Sequence, residues 1–234
     1  MSALLPAWKP YGLALKAYEE GKKDITLSVN TEDGTSTEME VGLFFRAEDE
    51  FPEIEQIALS LCKGRILDIG AGAGAHALVL QNNGFEVCAL DPSAEAVEVM
   101  DSRGIKKTVT TDFLSFESDQ KFDTLLFLMN GIGIAGKQAA LRDFLLQAKK
   151  LCNGGGQILL DSSDPDYFDE NQKNIVEEGE VLYQLAFEEK LGAKYSWLYL
   201  GFEPLREIAN KVGLEAMLIK HEDDGSYLAQ LKVP

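Results

Sequence analysis

Cysteine and histidine are scarce in this chain of 234 residues, which contains three cysteines and two histidines. Cys62, Cys88 and Cys152 are odd in number, far apart and set among apolar residues, so they form neither a disulfide framework nor a CxxC metal motif. We therefore expect reduced thiols in the core. His76 and His221 are isolated and lack the carboxylate spacing of a metal site, so no metal ion is predicted.

Positive charge is also in short supply. The chain has 22 Lys and Arg residues against 39 Asp and Glu residues, a net charge of −17, and its basic residues form no cluster larger than a lysine pair. Because nucleic-acid binding depends on Lys and Arg neutralising phosphates, this composition argues against a DNA or RNA partner. The acidic excess is typical of a protein that charge keeps in solution.

Long hydrophobic runs are missing as well. No stretch approaches the roughly 18 apolar residues of a membrane helix, and the N-terminus lacks a basic region followed by a long apolar run. These absences predict no membrane partner and a cytoplasmic location.

The composition otherwise suits a globular protein, with 45% hydrophobic and 26% charged residues. Between residues 63 and 161 short apolar or β-branched runs alternate with amphipathic segments. The predicted strands cover 66–69, 85–90, 107–110, 122–129 and 157–160, and the predicted helices cover 74–82, 94–102 and 137–151. Repeated units of this kind predict an α/β fold with a doubly wound, mostly parallel sheet and right-handed crossovers.

The segment before this core is predicted to be an extension. It offers a helix within 11–20, a β-hairpin formed by 24–30 and 35–41, and a helix that Pro52 begins and Gly64 ends. Since so small a segment cannot bury a core of its own, we expect residues 1–62 to pack on a domain formed by residues 63–234.

The chain changes character after the fifth predicted strand. Residues 179–188 and 193–200 resemble two aromatic-rich strands, an inserted β-hairpin, and a helix follows from Pro204 to Gly213. Residues 214–220 and 226–233 flank a tight turn, so they must run antiparallel. We therefore expect a seven-stranded sheet that ends in an antiparallel hairpin.

The most informative motif follows the first core strand. Asp68, Gly70, Gly72 and Gly74 form D-x-G-x-G-x-G before a predicted helix, and Asp91 ends the next strand. Alternate glycines let the backbone approach a ligand closely, and the helix directs free N–H groups at the same place. A carboxylate after the second strand can bind the two hydroxyls of a ribose, so the motif predicts a nucleoside site.

Two nucleoside cofactors are compatible with the glycines alone. Gly70, Gly72 and Ala75 also satisfy the dinucleotide pattern G-x-G-x-x-[G/A], with Asp91 at the place of an NAD ribose carboxylate. Asp68 argues against that alternative, because a buried carboxylate is costly without partners and a nicotinamide site needs none there. At the end of the third strand, Asp112 offers a carboxylate for an exocyclic amine, and Phe113 offers a ring that can pack on a base.

These residues resemble the class I S-adenosylmethionine-dependent methyltransferases, whose fold also ends in an antiparallel hairpin. The resemblance implies that Asp68 and the glycines form the cofactor turn, that Asp91 holds the ribose, and that Asp112 receives the adenine amino group with Phe113 beside the ring. The cofactor-binding residues predicted in full are Asp68, Gly70, Ala71, Gly72, Gly74, Asp91, Pro92, Asp112, Phe113, Met129, Asn130 and Arg46.

The chain departs from one branch of that family after the fourth strand. Members that methylate nucleic-acid bases or a glutamine amide usually carry [D/N/S]-P-P-[Y/F], whereas residues 128–133 contain no proline pair. The departure and the acidic composition both point to a small-molecule acceptor. Asn130 is either a turn residue ahead of glycines or a residue that closes over the methionine part or the substrate.

Three further features have two interpretations each, and a fourth has one. Arg46 could pair with the methionine carboxylate, but we favour a surface ion pair; His76 could act as a base, but we favour a capping or surface role. Tyr195, Trp197 and Tyr199 alternate as on one packed strand face, which we favour over a pocket lining. The run 161–164 at a strand end is a candidate for substrate contact.

The sequence therefore predicts an S-adenosylmethionine-dependent methyltransferase that acts on a small molecule and has no evident catalytic base. The alternatives are an NAD-dependent oxidoreductase and a non-catalytic scaffold that binds the nucleoside cofactor. The motifs specify neither the acceptor nor the oligomeric state.

Overall fold

The computed structural model describes residues 4–168 and 179–234. The helices are α1 (Lys9–Glu19), α2 (Glu53–Leu61), α3 (Ala75–Asn82), α4 (Ala94–Ser102), α5 (Leu141–Leu151) and α6 (Phe202–Lys211). The strands are β1 (Thr26–Thr31), β2 (Ser36–Glu40), β3 (Arg65–Ile69), β4 (Glu86–Asp91), β5 (Thr108–Thr110), β6 (Phe122–Phe127), β7 (Cys152–Ser163), β8 (Glu180–Phe187), β9 (Lys190–Leu191), β10 (Tyr195–Leu198), β11 (Glu215–His221) and β12 (Ser226–Lys232). Within these two ranges, no helix has both the length and the apolar character needed to cross a membrane.

Seven strands form the central sheet in the order β11-β12-β7-β6-β3-β4-β5. The five strands from β7 to β5 pair in parallel, and β12 runs antiparallel to both β7 and β11. This confirms the predicted doubly wound, mostly parallel sheet that ends in an antiparallel hairpin. Because the parallel strands are apolar on both faces, helices must cover both sides.

Two apolar layers cover that sheet. On one face α5 and α6 pack, and the predicted apolar stripe of α5 is fully buried there. On the other face lie α2, α3 and α4. All three cysteines are buried free thiols, as the sequence predicted. The carboxyl ends of the parallel strands are left open between the two layers, and this is where ligands bind in such sheets.

Several predicted boundaries were wrong, and three of them concern the core. The helix predicted over 137–151 begins at Leu141, because residues 138–140 form a separate 3₁₀ turn. The helix predicted to reach Gly64 ends at Leu61, where Cys62 takes an extended conformation. The fifth core strand begins at Cys152 rather than 157, because the glycine-rich residues between them stay extended as a bulge opposite β6.

A second, antiparallel sheet joins distant parts of the chain. Its order is β10-β8-β1-β2, with β9 paired to β8. The N-terminal hairpin and the inserted hairpin were both predicted, but their union through β1 and β8 was not. Residues of the predicted extension 1–62 and residues of the predicted domain 63–234 therefore share one sheet.

Helix α1 fixes this sheet beside the core. It packs on α4 so closely that a Cβ on Gly12 would lie 2.1 Å from the Ser93 hydroxyl. Ion pairs of Lys9 with Glu95 and of Lys16 with Glu98 border the contact. The antiparallel sheet and α1 thus lie over the open ends of the parallel strands and enclose the space between them.

Candidate cofactor and acceptor site

The glycine motif forms a tight turn between β3 and α3. Gly70, Gly72 and Gly74 all have positive φ values, of 71°, 58° and 78°. At Gly72 space is limiting too, since a Cβ there would lie 2.3 Å from the hydroxyl of Tyr11 on α1. A side chain at this position would therefore displace the Tyr11 ring or the turn itself.

Asp91, the last residue of β4, holds this turn in place. One carboxylate oxygen accepts the Gly72 N–H at 3.0 Å, and the other accepts the Ser93 N–H at 2.8 Å. The side chain lines the cavity although the residue is only 4% exposed. Burial raises the pKa of Asp91 to about 6, against the two backbone hydrogen bonds that lower it.

Asp68 lies on β3 with 2% of its surface exposed and also lines the cavity. Its Oδ2 atom is buried and has no hydrogen-bond partner within residues 4–168 and 179–234. Burial raises the pKa of Asp68 to about 6, while the nearby His76 lowers it. Since a buried carboxylate without a donor is costly, this oxygen is suited to accept from a ligand.

Asn130 follows β6 at a strained turn. Met129 and Asn130 have positive φ values of 65° and 58°, so the strand stops before the predicted residue 129. The Asn130 amide Nδ2 donates to the Leu198 carbonyl of β10 at 3.1 Å, whereas its Oδ1 is buried without a partner in the part of the chain that the structure describes. Asn130 is therefore a turn residue that also ties the two sheets together, with one acceptor left for a ligand.

Asp112 and Phe113 follow β5. Asp112 is exposed, and its carboxylate accepts the Leu114 N–H at 2.9 Å, which caps the short helix Phe113–Ser115. The ring of Phe113 is buried and packs edge-to-face on Phe127 and Phe144. Both residues border the cavity, as do Ala71 and Pro92, and their contact with an adenine stays a prediction.

Arg46, Glu55 and His76 form a buried charge cluster at the end of the glycine turn where α3 begins. Arg46 donates through Nη2 to both carboxylate oxygens of Glu55, at 2.9 and 3.0 Å. His76 Nε2 lies 2.7 Å from Glu55 Oε2, and the Phe51 ring packs beside His76. Burial raises the pKa of Glu55, but the hydrogen bonds and charges of His76 and Arg46 outweigh it and leave this pKa below its usual value.

This cluster corrects two predictions. The side chain of Arg46 is 13% exposed and that of His76 is 9% exposed, so the ion pair is not a surface one and His76 is neither a cap nor a surface residue. Glu55 was missed. Its position three residues before Ala58 and four before Leu59, both buried, places a carboxylate on the apolar face of α2, which is the signal that could have identified it.

The antiparallel sheet and α1 form the far side of a cavity of about 520 Å³. Six rings on that side constitute what we name the aromatic wall: Trp8, Tyr11, Tyr183, Tyr195, Trp197 and Tyr199. Tyr195, Trp197 and Tyr199 line a pocket, so the favoured interpretation of a merely packed face was wrong. Trp8 and Tyr11 were missed, because only the packing of α1 brings them here.

Contacts within the aromatic wall fix its rings. Trp8 and Tyr195 have ring centroids 4.4 Å apart, and the hydroxyls of Tyr183 and Tyr199 lie 3.0 Å apart. A Cβ on Gly133 would lie 2.0 Å from the Trp197 ring, so this indole rests directly on the backbone of the helix Gly131–Ala135. The wall is therefore a rigid surface that faces the glycine turn.

Residues 161–164 do not join the described lining of this cavity. Asp161 accepts the Gly131 N–H at 2.8 Å, Ser162 accepts the Leu200 N–H at 3.2 Å, and Asp164 accepts the Asp166 N–H at 3.0 Å. These side chains brace the loops around the site, and their predicted contact with substrate is not supported.

Comparisons with known proteins agree with this geometry. Residues 66–156 match a family model described as a methyltransferase domain. The chain is 36% identical to an S-adenosylmethionine-dependent methyltransferase from Bacteroides fragilis, solved with S-adenosylhomocysteine, with 99% of this chain and 98% of that one covered and a TM-score of 0.88. It is 26% identical over 165 residues to an uncharacterized methyltransferase of Staphylococcus carnosus, which covers 69% of this chain and 75% of that protein.

A more distant likeness concerns the fold alone. The CcbJ methyltransferase from Streptomyces caelestis is 17% identical, with 80% of this chain and 94% of that one covered and a TM-score of 0.60.

The close approach at Gly72 generates the first prediction. Gly72→Ala should weaken S-adenosylhomocysteine binding by at least about tenfold, because its Cβ would enter the space between the turn and Tyr11. Gly84→Ala is the matched control: Gly84 has φ +90° but no neighbouring heavy atom of the described chain within 4 Å. It should cost roughly 1 kcal/mol of stability and keep the affinity. Calorimetric titration of both variants decides, and equal affinity losses would contradict the assignment.

The raised pKa values of the buried carboxylates generate the second prediction. We predict that Asp91 accepts hydrogen bonds from the ribose hydroxyls, which are stronger when the carboxylate is ionised, and burial raises the pKa of Asp91 to about 6. Affinity for S-adenosylhomocysteine should therefore fall about tenfold from about pH 7 to about pH 5 for each such carboxylate that must ionise. In Asp91→Asn the affinity should be lower at neutral pH and its dependence on pH shallower. A pH profile unchanged by that substitution would speak against this role.

Proposed function

The chain belongs to the class I S-adenosylmethionine-dependent methyltransferases, and from this premise we infer that it methylates a small molecule held between the glycine turn and the aromatic wall. The enclosed cavity that these two surfaces form carries the inference. The comparisons give no support to an NAD-dependent oxidoreductase, and membership of an enzyme family replaces the scaffold alternative.

The residues at the sheet edge fit the cofactor. The turn at Gly72 lines the cavity, and two buried acceptors, Asp68 Oδ2 and Asn130 Oδ1, have no hydrogen-bond partner among the described residues. S-adenosylmethionine carries the donors that would satisfy them. We assign Asp91 to its ribose hydroxyls and Asp68 to its ammonium group.

Arg46 is suited to the methionine carboxylate. It lines the cavity beside His76, and the contact of its Nη2 with both oxygens of Glu55 fixes the direction of the guanidinium. Because a guanidinium has five donors, the pair with Glu55 leaves others for a second carboxylate. Glu55 is then a positioning residue, which holds Arg46 and His76 at the methionine end.

The bound cofactor would supply a methyl group on a positively charged sulfur, a good leaving group. The contribution of the protein is to align the acceptor with that methyl group and to keep water out. The enclosing position of the antiparallel sheet and α1 over the strand ends suits this task.

Size and charge favour a small acceptor. A volume of about 520 Å³ falls within the roughly 300–1,000 Å³ of small-molecule sites. The net charge of −17 disfavours a polyanion such as nucleic acid at the mouth of the cavity.

A methyl-transfer assay tests the proposed function. The protein and isotopically labelled S-adenosylmethionine are incubated with a metabolite library, and mass spectrometry should show the label in a small molecule. Gly72→Ala is the negative control. Label found only in added nucleic acid or protein would contradict a small-molecule acceptor, and failure to bind S-adenosylhomocysteine would contradict the cofactor site itself.

A pair of ligands tests Arg46. Arg46→Gln should weaken S-adenosylhomocysteine binding by about 10- to 100-fold, since a hydrogen bond to a charged group contributes roughly 1.5–3 kcal/mol. Methylthioadenosine lacks the amino-acid part, so its affinity should not change. Calorimetry with both ligands separates the two roles of the residue. Equal losses would show that Arg46 acts through the structure of the site and not through the methionine carboxylate.

A further inference from the structure

The two halves of the cavity differ in charge. Among the described lining residues, the arginine, the carboxylates and the histidine, namely Arg46, Asp68, His76, Asp91 and Asp112, all belong to the cofactor side or to the buried cluster with Glu55. The antiparallel sheet and α1 contribute aliphatic side chains, neutral polar groups and the aromatic wall. An acceptor on that side meets no carboxylate and no ammonium group of the described chain.

The hydroxyls of the wall are poor bases. Burial raises the pKa of Tyr183, Tyr195 and Tyr199, and burial with the charge of Asp91 raises the pKa of Tyr11. The hydroxyls of Tyr183 and Tyr199 are within hydrogen-bond distance of one another. These groups stay neutral at physiological pH, and His76 is held by Glu55 on the cofactor side. An alcohol acceptor, which must lose a proton to react, therefore finds no base on the wall.

We propose that the methyl acceptor is an amine whose nitrogen binds against the faces of the aromatic wall. This inference rests on the proposed function and names the substrate class of the same site. A neutral amine is a nucleophile without a base, and its product is an ammonium ion. Aromatic faces carry negative partial charge and attract such a cation, most strongly when it is desolvated.

The charge balance of the reaction favours the same class. The nitrogen lone pair forms the new bond to the methyl carbon, the electron pair of the carbon–sulfur bond goes to sulfur, and the ammonium product later loses a proton to water. One positive charge is present before and after transfer, so the wall needs no counter-ion. A thiolate or carboxylate acceptor would instead place a desolvated anion against negative ring faces, which is unfavourable.

The charge of the whole protein also favours an amine. The net charge of −17 attracts ammonium ions from solution toward the protein.

The test compares two ligands that differ in one atom. Choline carries a quaternary nitrogen and models the cationic product, and 3,3-dimethyl-1-butanol is its neutral carbon counterpart. Each is titrated into the complete chain saturated with S-adenosylhomocysteine. The chain has two tryptophans, and both Trp8 and Trp197 lie in the aromatic wall, so tryptophan emission reports on this surface directly.

Choline should bind about fivefold more tightly, because a cation on an aromatic face gains roughly 1 kcal/mol. Trp197→Phe should keep most of this preference for choline. Trp197→Leu should lose it, because leucine has about the apolar volume of phenylalanine but no ring. Equal affinities, tighter binding of the neutral ligand or no binding of choline would overturn the proposal.

Two controls separate this inference from the proposed function. Calorimetry with S-adenosylhomocysteine shows that each Trp197 variant still folds and binds the cofactor product. Label transferred to an alcohol or a thiol in the library assay would overturn the amine assignment while supporting the small-molecule methyltransferase.

Discussion

Both carboxylate oxygens of Asp91 bind backbone N–H groups, and the rest of the site depends on these two hydrogen bonds. One holds the turn at Gly72, which sets where a ligand meets the backbone. The other holds Ser93, whose hydroxyl accepts the Ala96 N–H at the start of α4. The same Ser93 receives Gly12 of α1 in close contact, so a single carboxylate links the cofactor turn to the helix that carries Trp8 and Tyr11.

The buried cluster of Arg46, Glu55 and His76 has a comparable role at the other end. A buried carboxylate is tolerable only when cations and donors surround it, and Glu55 has one on each side. The cluster joins the extension before β3 to helix α3 of the core. Arg46, which belongs to that extension, therefore lines the same cavity as the glycine turn.

The sequence-based predictions were accurate for features that local interactions decide and wrong for features that contacts between distant residues decide. The sequence correctly placed Gly72 in a turn that needs positive φ and Asp91 at a strand end, because both features are local. Asn130 lies at a turn, which was one of its two predicted interpretations, whereas Met129 was predicted within the strand and shares that turn. Glu55, Trp8 and Tyr11 were missed, and His76 was assigned to the wrong environment, because each depends on a partner far away in the chain. Tyr195 and Trp197 alternate as any packed strand does, and periodicity does not distinguish a core from a cavity wall.

The sequence by itself determined the parallel sheet, its terminal antiparallel hairpin and the glycine turn, since hydrophobic periodicity and backbone sterics act over a few residues. Only the tertiary structure decided that β1 pairs with β8, which brings the N-terminal and inserted hairpins into one sheet. That pairing creates the aromatic wall and encloses the cavity. The two strands lie about 150 residues apart in the chain, and no local sequence pattern encodes a contact over so long a range.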